Sequence, residues 1–295
     1  MNPRDYPAAY LASDDTAVGL ERTYFRLLRA ELMLFVAASL VGILGAFPTI
    51  GKLRPLAIAA AIFVVGAFFI LWRMRRRRFE RKWFQYRAVA ESVKTATWRY
   101  MMEAPPFDTT PNLETKFLAT LDAIQLDRLG AASPEPGGQI TDFMREIRRH
   151  PLEERKDVYL RERLVDQETW YAKKSVWNRQ LAARWSTFTL ATQALAVVLA
   201  LLRVFYPMIP LSPVSFLMTV ASSMLAWTQA RRHEDLVEPY AVAGQELKEL
   251  RSLLPKVGDT ESFRRFVSDV EESISREHTK WLARRSMDAL TIKSS

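Results

Sequence analysis

The chain of 295 residues contains no cysteine and only three histidines. The absence of cysteine excludes disulfides, thiolate nucleophiles and cysteine-ligated zinc. The histidines, His150, His233 and His278, are far apart in sequence, and none belongs to an HExxH motif or a similar metal-ligand spacing. Gly137 and Gly138 are not followed by the Gly-Lys-Ser/Thr that a phosphate-binding loop requires. We therefore expect no catalytic residues, no bound metal and no cofactor, and no enzymatic activity.

Charge is absent from four stretches, at about 32–51, 55–72, 185–202 and 213–228. At about 1.5 Å per residue, a helix of roughly 18 residues approaches the roughly 30 Å of a bilayer core. A soluble helix would show a polar face every three to four residues, and the run at 55–72 shows none. A proline-rich loop precedes the last stretch, and Pro213 fits the first turn of its helix. The pattern predicts an all-α membrane protein with four transmembrane helices arranged as two hairpins.

The chain is basic, with 42 Lys and Arg against 33 Asp and Glu and a formal net charge of +9. Arginines lie directly after the second and fourth stretches, at Arg73, Arg75, Arg76, Arg77 and Arg78, and at Arg231 and Arg232. Lys and Arg concentrate at the cytoplasmic ends of membrane spans. The charges therefore predict a multi-pass protein of the inner (plasma) membrane with cytoplasmic N- and C-termini. No cleavable signal peptide is expected, because the first apolar run begins only at Leu32.

The arginine cluster of residues 73–78, which we call the basic flank together with Arg231 and Arg232, has two interpretations. It sets the topology and contacts anionic lipids, or it docks a phosphate-bearing ligand. Direct nucleic-acid binding is disfavoured, because a nucleic-acid arm has no need of the adjoining apolar run. Membrane lipids are therefore expected partners.

The third and fourth stretches carry small and polar residues at helical spacing, which we call the polar stripe: Ser186, Thr189, Gln193, Ser215, Thr219 and Ser222. Such residues allow close helix packing and interhelical hydrogen bonds in lipid. They also suit the wall of a water-filled pore, and both interpretations stay open. Four helices from one chain would make only a narrow pore, so a pore implies a homo-oligomer. The lack of charged residues within the stretches argues against an ion-coupled transporter.

The two hairpins look like copies of one unit. Aligning Tyr86 with Tyr240 places Arg77-Arg78 on Arg231-Arg232 and the first two stretches on the last two. We predict a first unit at 1–129, a linker at 130–138 and a second unit at 139–295. The segments outside the stretches have helical spacing and are predicted to form long cytosolic helices. Asn112 and Asp259 or Thr260 stand where helix N-caps are expected.

Two segments resemble a known family. "RLVDQETWYAKKSVWNRQLAARW" before the third stretch and "SREHTKWLARR" near the C-terminus are similar to the SLATT superfamily of SMODS- and SLOG-associating two-transmembrane effector domains. The first half resembles a companion SLATT unit through its topology, so that a tandem fusion would cover nearly the whole chain. The resemblance implies a membrane effector, pore-forming in one interpretation, in a bacterial conflict or antiviral system. It also implies a partner protein that produces or senses a nucleotide signal, and it brings no catalytic residues.

Three hypotheses therefore stand, of which the lowest-ranked is an enzyme whose site is not recognisable from the sequence. In the first, the chain is an oligomeric effector that receives a signal through its cytosolic helices and opens the membrane through its second hairpin. In the second, it is a non-conducting membrane scaffold that tethers a soluble partner through the same helices.

Overall fold

A computed structural model describes residues 1–45, 55–108, 111–130, 138–206, 208 and 212–291, with side chains in the last helix as far as Ser275. Every regular element in these ranges is helical, and they contain no strand. The predicted all-α class is therefore confirmed for the described part of the chain.

The helices follow one another along the chain with short connections. They are α1 (Ala8–Gly45), α2 (Pro55–Arg77), α3 (Phe79–Met101), α4 (Leu113–Leu129), α5 (Asp142–Arg149), α6 (Leu152–Tyr159), α7 (Asp166–Phe205), α8 (Ser212–Arg231), α9 (His233–Leu253) and α10 (Thr260–Thr291). A π-helical segment, Leu160–Val165, joins α6 to α7 without a break in the helix.

Three helical runs of the described chain are long and apolar enough to cross a membrane. They lie within Ala8–Leu44, Pro55–Met101 and Leu152–Phe205. The fourth predicted span is a helix, α8, but it is not among the three. Its serines, threonines and Gln229 dilute its apolar content. The arrangement as two hairpins stays a prediction, and the first predicted hairpin turn lies outside the described residues.

The internal duplication has a clear backbone signature. The short breaks between α2 and α3 and between α8 and α9 each contain one arginine in the left-handed region, Arg78 with φ 50° and Arg232 with φ 55°. These two residues coincide when Tyr86 is aligned with Tyr240. The same alignment pairs positions that are buried in both copies, namely Ala67 with Ala221, Val89 with Ala243, Val93 with Leu247 and Tyr100 with Leu254. The two halves therefore share a local structure as well as a sequence pattern.

The described chain divides into two compact units. One comprises Met1–Leu20, Glu80–Ser175 and Glu238–Ser295, and we call it the core unit. The other comprises Glu21–Phe79 and Val176–Val237, and we call it the span unit, because it holds the apolar stretches. Of the predicted linker at 130–138, residues 131–137 lie outside the described residues, and the predicted boundary between the two copies stays a prediction.

The core unit is held together by aromatic side chains from both halves of the sequence. The Trp98 ring meets the Tyr159 ring edge-on with centroids 5.7 Å apart, and Tyr159 meets Phe263 at 6.1 Å. Phe107 and Phe117, fully buried, pack against each other at 5.5 Å. Each such side chain contributes about 1.5–3 kcal/mol through burial alone. Both halves of the sequence thus contribute side chains to the core of this unit.

The two predicted helix caps have different outcomes. The Asp259 carboxylate accepts the amides of Glu261 and Ser262, both at 2.9 Å, so the cap of α10 is confirmed. Asn112 precedes α4 but has a left-handed backbone with φ 71°, and its side chain makes no capping hydrogen bond. Its carbonyl accepts the Lys116 amide instead, at 3.0 Å. The predicted side-chain cap at Asn112 is therefore wrong, because the left-handed backbone replaces the extended conformation of an ordinary N-cap.

Candidate functional site: the polar stripe and the basic flank

The polar stripe lies in the span unit, on α7 and α8. Ala196 and Ala221 are buried close to it, one on each helix. Among the six stripe residues, Thr189, Gln193 and Thr219 are half-buried, whereas Ser186, Ser215 and Ser222 are exposed. The stripe is therefore only partly covered by its own chain.

Both stripe threonines bond to their own helices. The Thr189 hydroxyl donates to the Trp185 carbonyl at 2.9 Å, and the Thr219 hydroxyl donates to the Ser215 carbonyl at 3.0 Å. Back-bonding of this kind lets a hydroxyl sit in an apolar layer without a partner on another helix. At this level Thr192 of α7 contacts the Met224 sulfur of α8 at 4.0 Å. The hydroxyls of Thr189 and Thr219 thus bond within their own helices and not between α7 and α8.

Gln193 differs from the threonines. No hydrogen bond to its side chain is found in the described part of the chain, although the residue is half-buried in the middle of the apolar stretch of α7. A side-chain amide has two donors and an acceptor, and an amide in hydrocarbon without partners is costly. Among the described residues, Gln193 therefore forms no hydrogen bond that links α7 to another helix.

The arginines of the basic flank fall into two groups. Arg73, Arg75, Arg76, Arg77 and Arg78 are all exposed, whereas Arg231 and Arg232 are half-buried. The Arg231 guanidinium lies over the Phe25 ring at 3.9 Å and over the Trp227 ring at 5.1 Å, and it is 3.9 Å from the Glu21 carboxylate. Arg232 Nε donates to Asp235 at 2.7 Å. The second copy therefore uses its arginines for internal packing.

An aromatic cluster surrounds Arg231 at the end of α8. The Trp227 ring has Phe25 at 5.9 Å and Trp185 at 6.4 Å, and Arg29 also lies over it at 5.3 Å. Stacking of a guanidinium on such rings is worth about 0.5–2 kcal/mol, depending on desolvation. The cluster joins α1, α7 and α8 within the span unit. The sequence offered no sign of it, because Phe25 and Trp227 are far apart in the chain.

His233 begins α9 directly after the second left-handed arginine. It is buried, its Nδ1 lies 2.7 Å from the Asn178 amide oxygen, and its ring meets Trp177 edge-on at 5.5 Å. Burial, together with the positive charge of Arg231, lowers the pKa of His233 below its ordinary value. The neutral ring is therefore favoured, and Nδ1 donates to the amide oxygen.

Of the other two histidines, the structure describes the side chain of His150 alone. His150 lies 3.5 Å from Glu154 in the core unit. The side chain of His278 lies outside the described residues. Among the described residues, no group of acidic or histidine side chains could hold a metal ion.

The core unit contains a buried polar cluster that sequence reasoning missed. Arg163, in the π-helical segment, donates from Nε and Nη2 to the two oxygens of Glu271, at 2.8 and 2.6 Å. The Tyr159 hydroxyl donates to the same carboxylate at 3.0 Å. Although burial opposes the charge, Glu271 raises the pKa of Arg163, and burial raises the pKa of Tyr159. The cluster is thus an arginine–carboxylate pair with a neutral tyrosine.

A second missed cluster lies around Glu103, at the end of α3. Its carboxylate is shared by Arg155 at 3.1 Å and Arg264 at 3.0 Å. Arg148 donates nearby to the carbonyls of Tyr100 and Phe107, the latter at 2.8 Å. Burial would raise the pKa of Glu103, but the hydrogen bond from Arg264 and the charges of Arg155 and Arg148 hold it below its ordinary value. Arg148 thus satisfies the Tyr100 carbonyl, which lies in the last turn of α3.

Two family profiles match the chain, one after the other. The SMODS and SLOG-associating 2TM effector domain 3 matches residues 7–156, and the SMODS and SLOG-associating 2TM effector domain 1 matches residues 159–281. No curated protein matches the chain, and no solved structure does. The first match covers just over half of the chain, and the second follows it after two residues. Together with the repeated left-handed arginines and the apolar helices, they establish that the chain belongs to the SLATT family and carries two SLATT domains in tandem.

Proposed function

We propose that this chain is an oligomeric, pore-forming membrane effector in a bacterial conflict system that acts in antiviral defence. Membership of the SLATT two-transmembrane effector family implies a membrane effector of a conflict system. The pore, the oligomer and the antiviral role are our proposal. We further propose that the chain acts without enzymatic chemistry of its own and resides in the inner membrane with cytoplasmic termini.

The observation that carries the pore is Gln193. Its amide is half-buried within an apolar stretch, and no described residue of the chain hydrogen-bonds to it. An amide in lipid gains most by meeting either a polar group on another chain or water. Both occur when several copies place α7 around a common axis. Thr189, one turn earlier and also half-buried, would extend the same polar path.

The trigger is proposed to reach the effector through the core unit. The names of both matching domains describe association with SMODS and SLOG domains. We propose that a partner protein carrying such a domain makes or senses a nucleotide signal and acts on the core unit. The long helix from α6 through the π-helical segment to the end of α7 belongs to both units and is the route by which such a signal would travel.

Ion leak in induced cells tests the pore directly. Membrane potential and dye entry would be recorded in cells that express the wild-type chain with its partner. The variant Gln193→Leu/Thr189→Leu is expected to abolish depolarisation while retaining oligomers in native gels. Thr187→Leu is the matched control, because Thr187 lies on the same helix, is exposed and back-bonds to Ala183 at 2.9 Å. Unchanged depolarisation in the double variant would refute the pore.

The alternative function is a non-conducting scaffold that tethers a soluble partner. It draws support from Leu118 and Leu126 of α4 in the core unit, which are 36% and 53% exposed. A scaffold predicts a stable complex that Leu118→Ser/Leu126→Ser disrupts, with no depolarisation at any expression level. Pull-downs with the wild-type chain and this variant separate the two functions.

A further inference from the structure

Equivalent arginines in the two copies of the SLATT unit differ in their contacts with the rest of the chain. Arg231 and Arg232 are occupied by rings and carboxylates of the same chain. Their counterparts Arg77 and Arg78 are exposed, as are Arg73, Arg75 and Arg76. No carboxylate in the described part of the chain lies within ion-pair distance of these five arginines, which we call the open arginine row. Both copies thus carry the arginines, but only in the second copy do these side chains contact rings and carboxylates of the chain.

An acidic group on α1 comes near the open arginine row. Glu31 of α1 is buried and directly precedes the first apolar stretch. Its carboxylate interacts electrostatically with Arg75 without forming an ion pair. Arg76 stacks over the Trp72 ring at 5.3 Å. Most of the positive charge of the row is therefore not paired with a carboxylate of the described chain and is accessible to a ligand outside it.

The position of the row relative to the apolar stretch indicates where that ligand lies. Phe68, Phe69 and Trp72, just before the row, are 50–61% exposed and suit contact with lipid chains. From Trp72 to Arg78 the chain rises by about 9 Å, at about 1.5 Å per residue. The headgroup layer on each side of a bilayer is roughly 5–8 Å deep, so the arginines would lie at the level of the phosphates.

The row also surrounds its helix. Successive residues of a helix are about 100° apart, so the residues from Arg73 to Arg78 point in all directions around the end of α2. Orientation in the membrane needs only the number of charges on one side. Several arginines that surround one helix end can in addition contact several phosphates at once. Guanidinium groups bind phosphate oxygens through paired, charge-assisted hydrogen bonds.

We infer that the open arginine row is a binding site for the headgroup phosphates of anionic phospholipids, and that this site belongs to the first SLATT unit alone. The second unit anchors the end of its helix by packing Arg231 on Phe25 and Trp227 instead. The inference rests on the membrane insertion in the proposed function, but it requires neither a pore nor a partner protein.

Nanodiscs of defined lipid composition test this site with the full-length chain. The chain would be placed in phosphatidylcholine discs with and without phosphatidylglycerol. Retained lipids would be counted by native mass spectrometry, and the melting temperature would be followed by tryptophan fluorescence. The wild-type chain is expected to retain phosphatidylglycerol over phosphatidylcholine and to melt higher in its presence.

Charge removal should abolish both effects. Arg75→Gln/Arg76→Gln/Arg77→Gln is expected to weaken phosphatidylglycerol retention by roughly a hundredfold, since each arginine near an anionic surface contributes about 1 kcal/mol. The corresponding lysine variant keeps the charge and should retain much of the preference. If the glutamine variant fails to insert, the wild-type preference should still fall steeply with added salt, and a salt-independent preference would overturn the inference.

The second unit supplies the matched control. Arg231→Gln is expected to lower the melting temperature equally in both kinds of disc and to leave phosphatidylglycerol retention unchanged. An equal loss of retention in Arg231→Gln, or full retention in the glutamine triple variant, would overturn the inference. Soluble pyrophosphate that displaces phosphatidylglycerol at low concentration would also overturn it, since the site would then serve a soluble anion. Leak measurements on the same variants distinguish failure of the lipid site from failure of the pore.

Discussion

Arg163 and Glu271 form a fully buried ion pair, in which guanidinium Nε and Nη2 donate to the two carboxylate oxygens at 2.8 and 2.6 Å. Arg163 stands in the π-helical segment before the third apolar stretch, and Glu271 stands in α10. The pair ties the start of the longest helical run to the C-terminal helix of the core unit. π-Helical turns within helices often mark functional positions.

Replacing one partner of this pair should lower the free energy of unfolding far more than replacing both. Glu271→Leu or Arg163→Met leaves one buried charge unpaired, and we expect a loss of about 3–5 kcal/mol of unfolding free energy. The double variant Arg163→Met/Glu271→Leu should recover most of that loss, because the charge and its partner disappear together. Urea unfolding of the detergent-solubilised chain measures all three. Additive losses in the double variant would mean that the pair is not coupled.

The two SLATT domains should fold only together. Trp98 from the first domain packs on Tyr159, which in turn packs on Phe263 from the second. We expect residues 1–156 and 159–295, produced separately, to lack a cooperative thermal transition, and their co-expression to restore one. Circular dichroism melting of the two fragments and of the mixture gives the answer. A cooperative transition in either isolated fragment would contradict the shared core.

Acid should destabilise the span unit through His233. Its folded pKa is lowered, so the unfolded chain takes up a proton first as pH falls below the ordinary histidine pKa of about 6.5. Stability should therefore be full at pH 8 and decline from about pH 6.5 downward, until the pH reaches the folded pKa. The charged and polar groups around the ring are Arg231 and Asn178. Melting temperatures of the wild-type chain and of His233→Gln between pH 8 and pH 5 should converge as pH falls.

At Gly244 in α9, a small and a large side chain should change the stability of the chain in opposite directions. A Cβ placed there would lie 3.5 Å from the Tyr171 Cβ, which is ordinary contact. Gly244→Ala should therefore stabilise the chain by about 0.5–1 kcal/mol, because alanine favours a helix interior over glycine. Gly244→Leu should destabilise it, since the larger side chain meets the backbone of α7 near Ala172. Val242→Leu, on an exposed position of the same helix, is the control for added bulk. Equal melting temperatures for the alanine and leucine variants would contradict this packing.

The helical class and the duplication were predictable, because both depend on local patterns. Uncharged runs and arginines at their ends are visible residue by residue, and Tyr86 and Tyr240 fix the alignment. The Asp259 cap was predictable for the same reason. The fourth span stays a prediction, because the serines and threonines that form the polar stripe on α8 also lower the apolar character of this helix.

Partnerships between distant residues were not predictable. Arg163 and Glu271 stand in charge-rich helices, where such residues normally face water, and their burial arises only when α10 packs on the π-helical segment. Arg77 and Arg231 look alike in sequence, yet one is exposed and the other stacks on Phe25. The left-handed backbone at Arg78 and Arg232 is equally hidden, since arginine shows no preference for that region.

The repeated left-handed arginine bears on symmetry. Each chain contains two such helix breaks, but only the first lies beside exposed arginines. If the proposed oligomer is a closed ring, it would contain twice as many SLATT units as chains, in two chemically different types. Its rotational symmetry follows the number of chains and not the number of units, and only every second unit would present cations to the lipid.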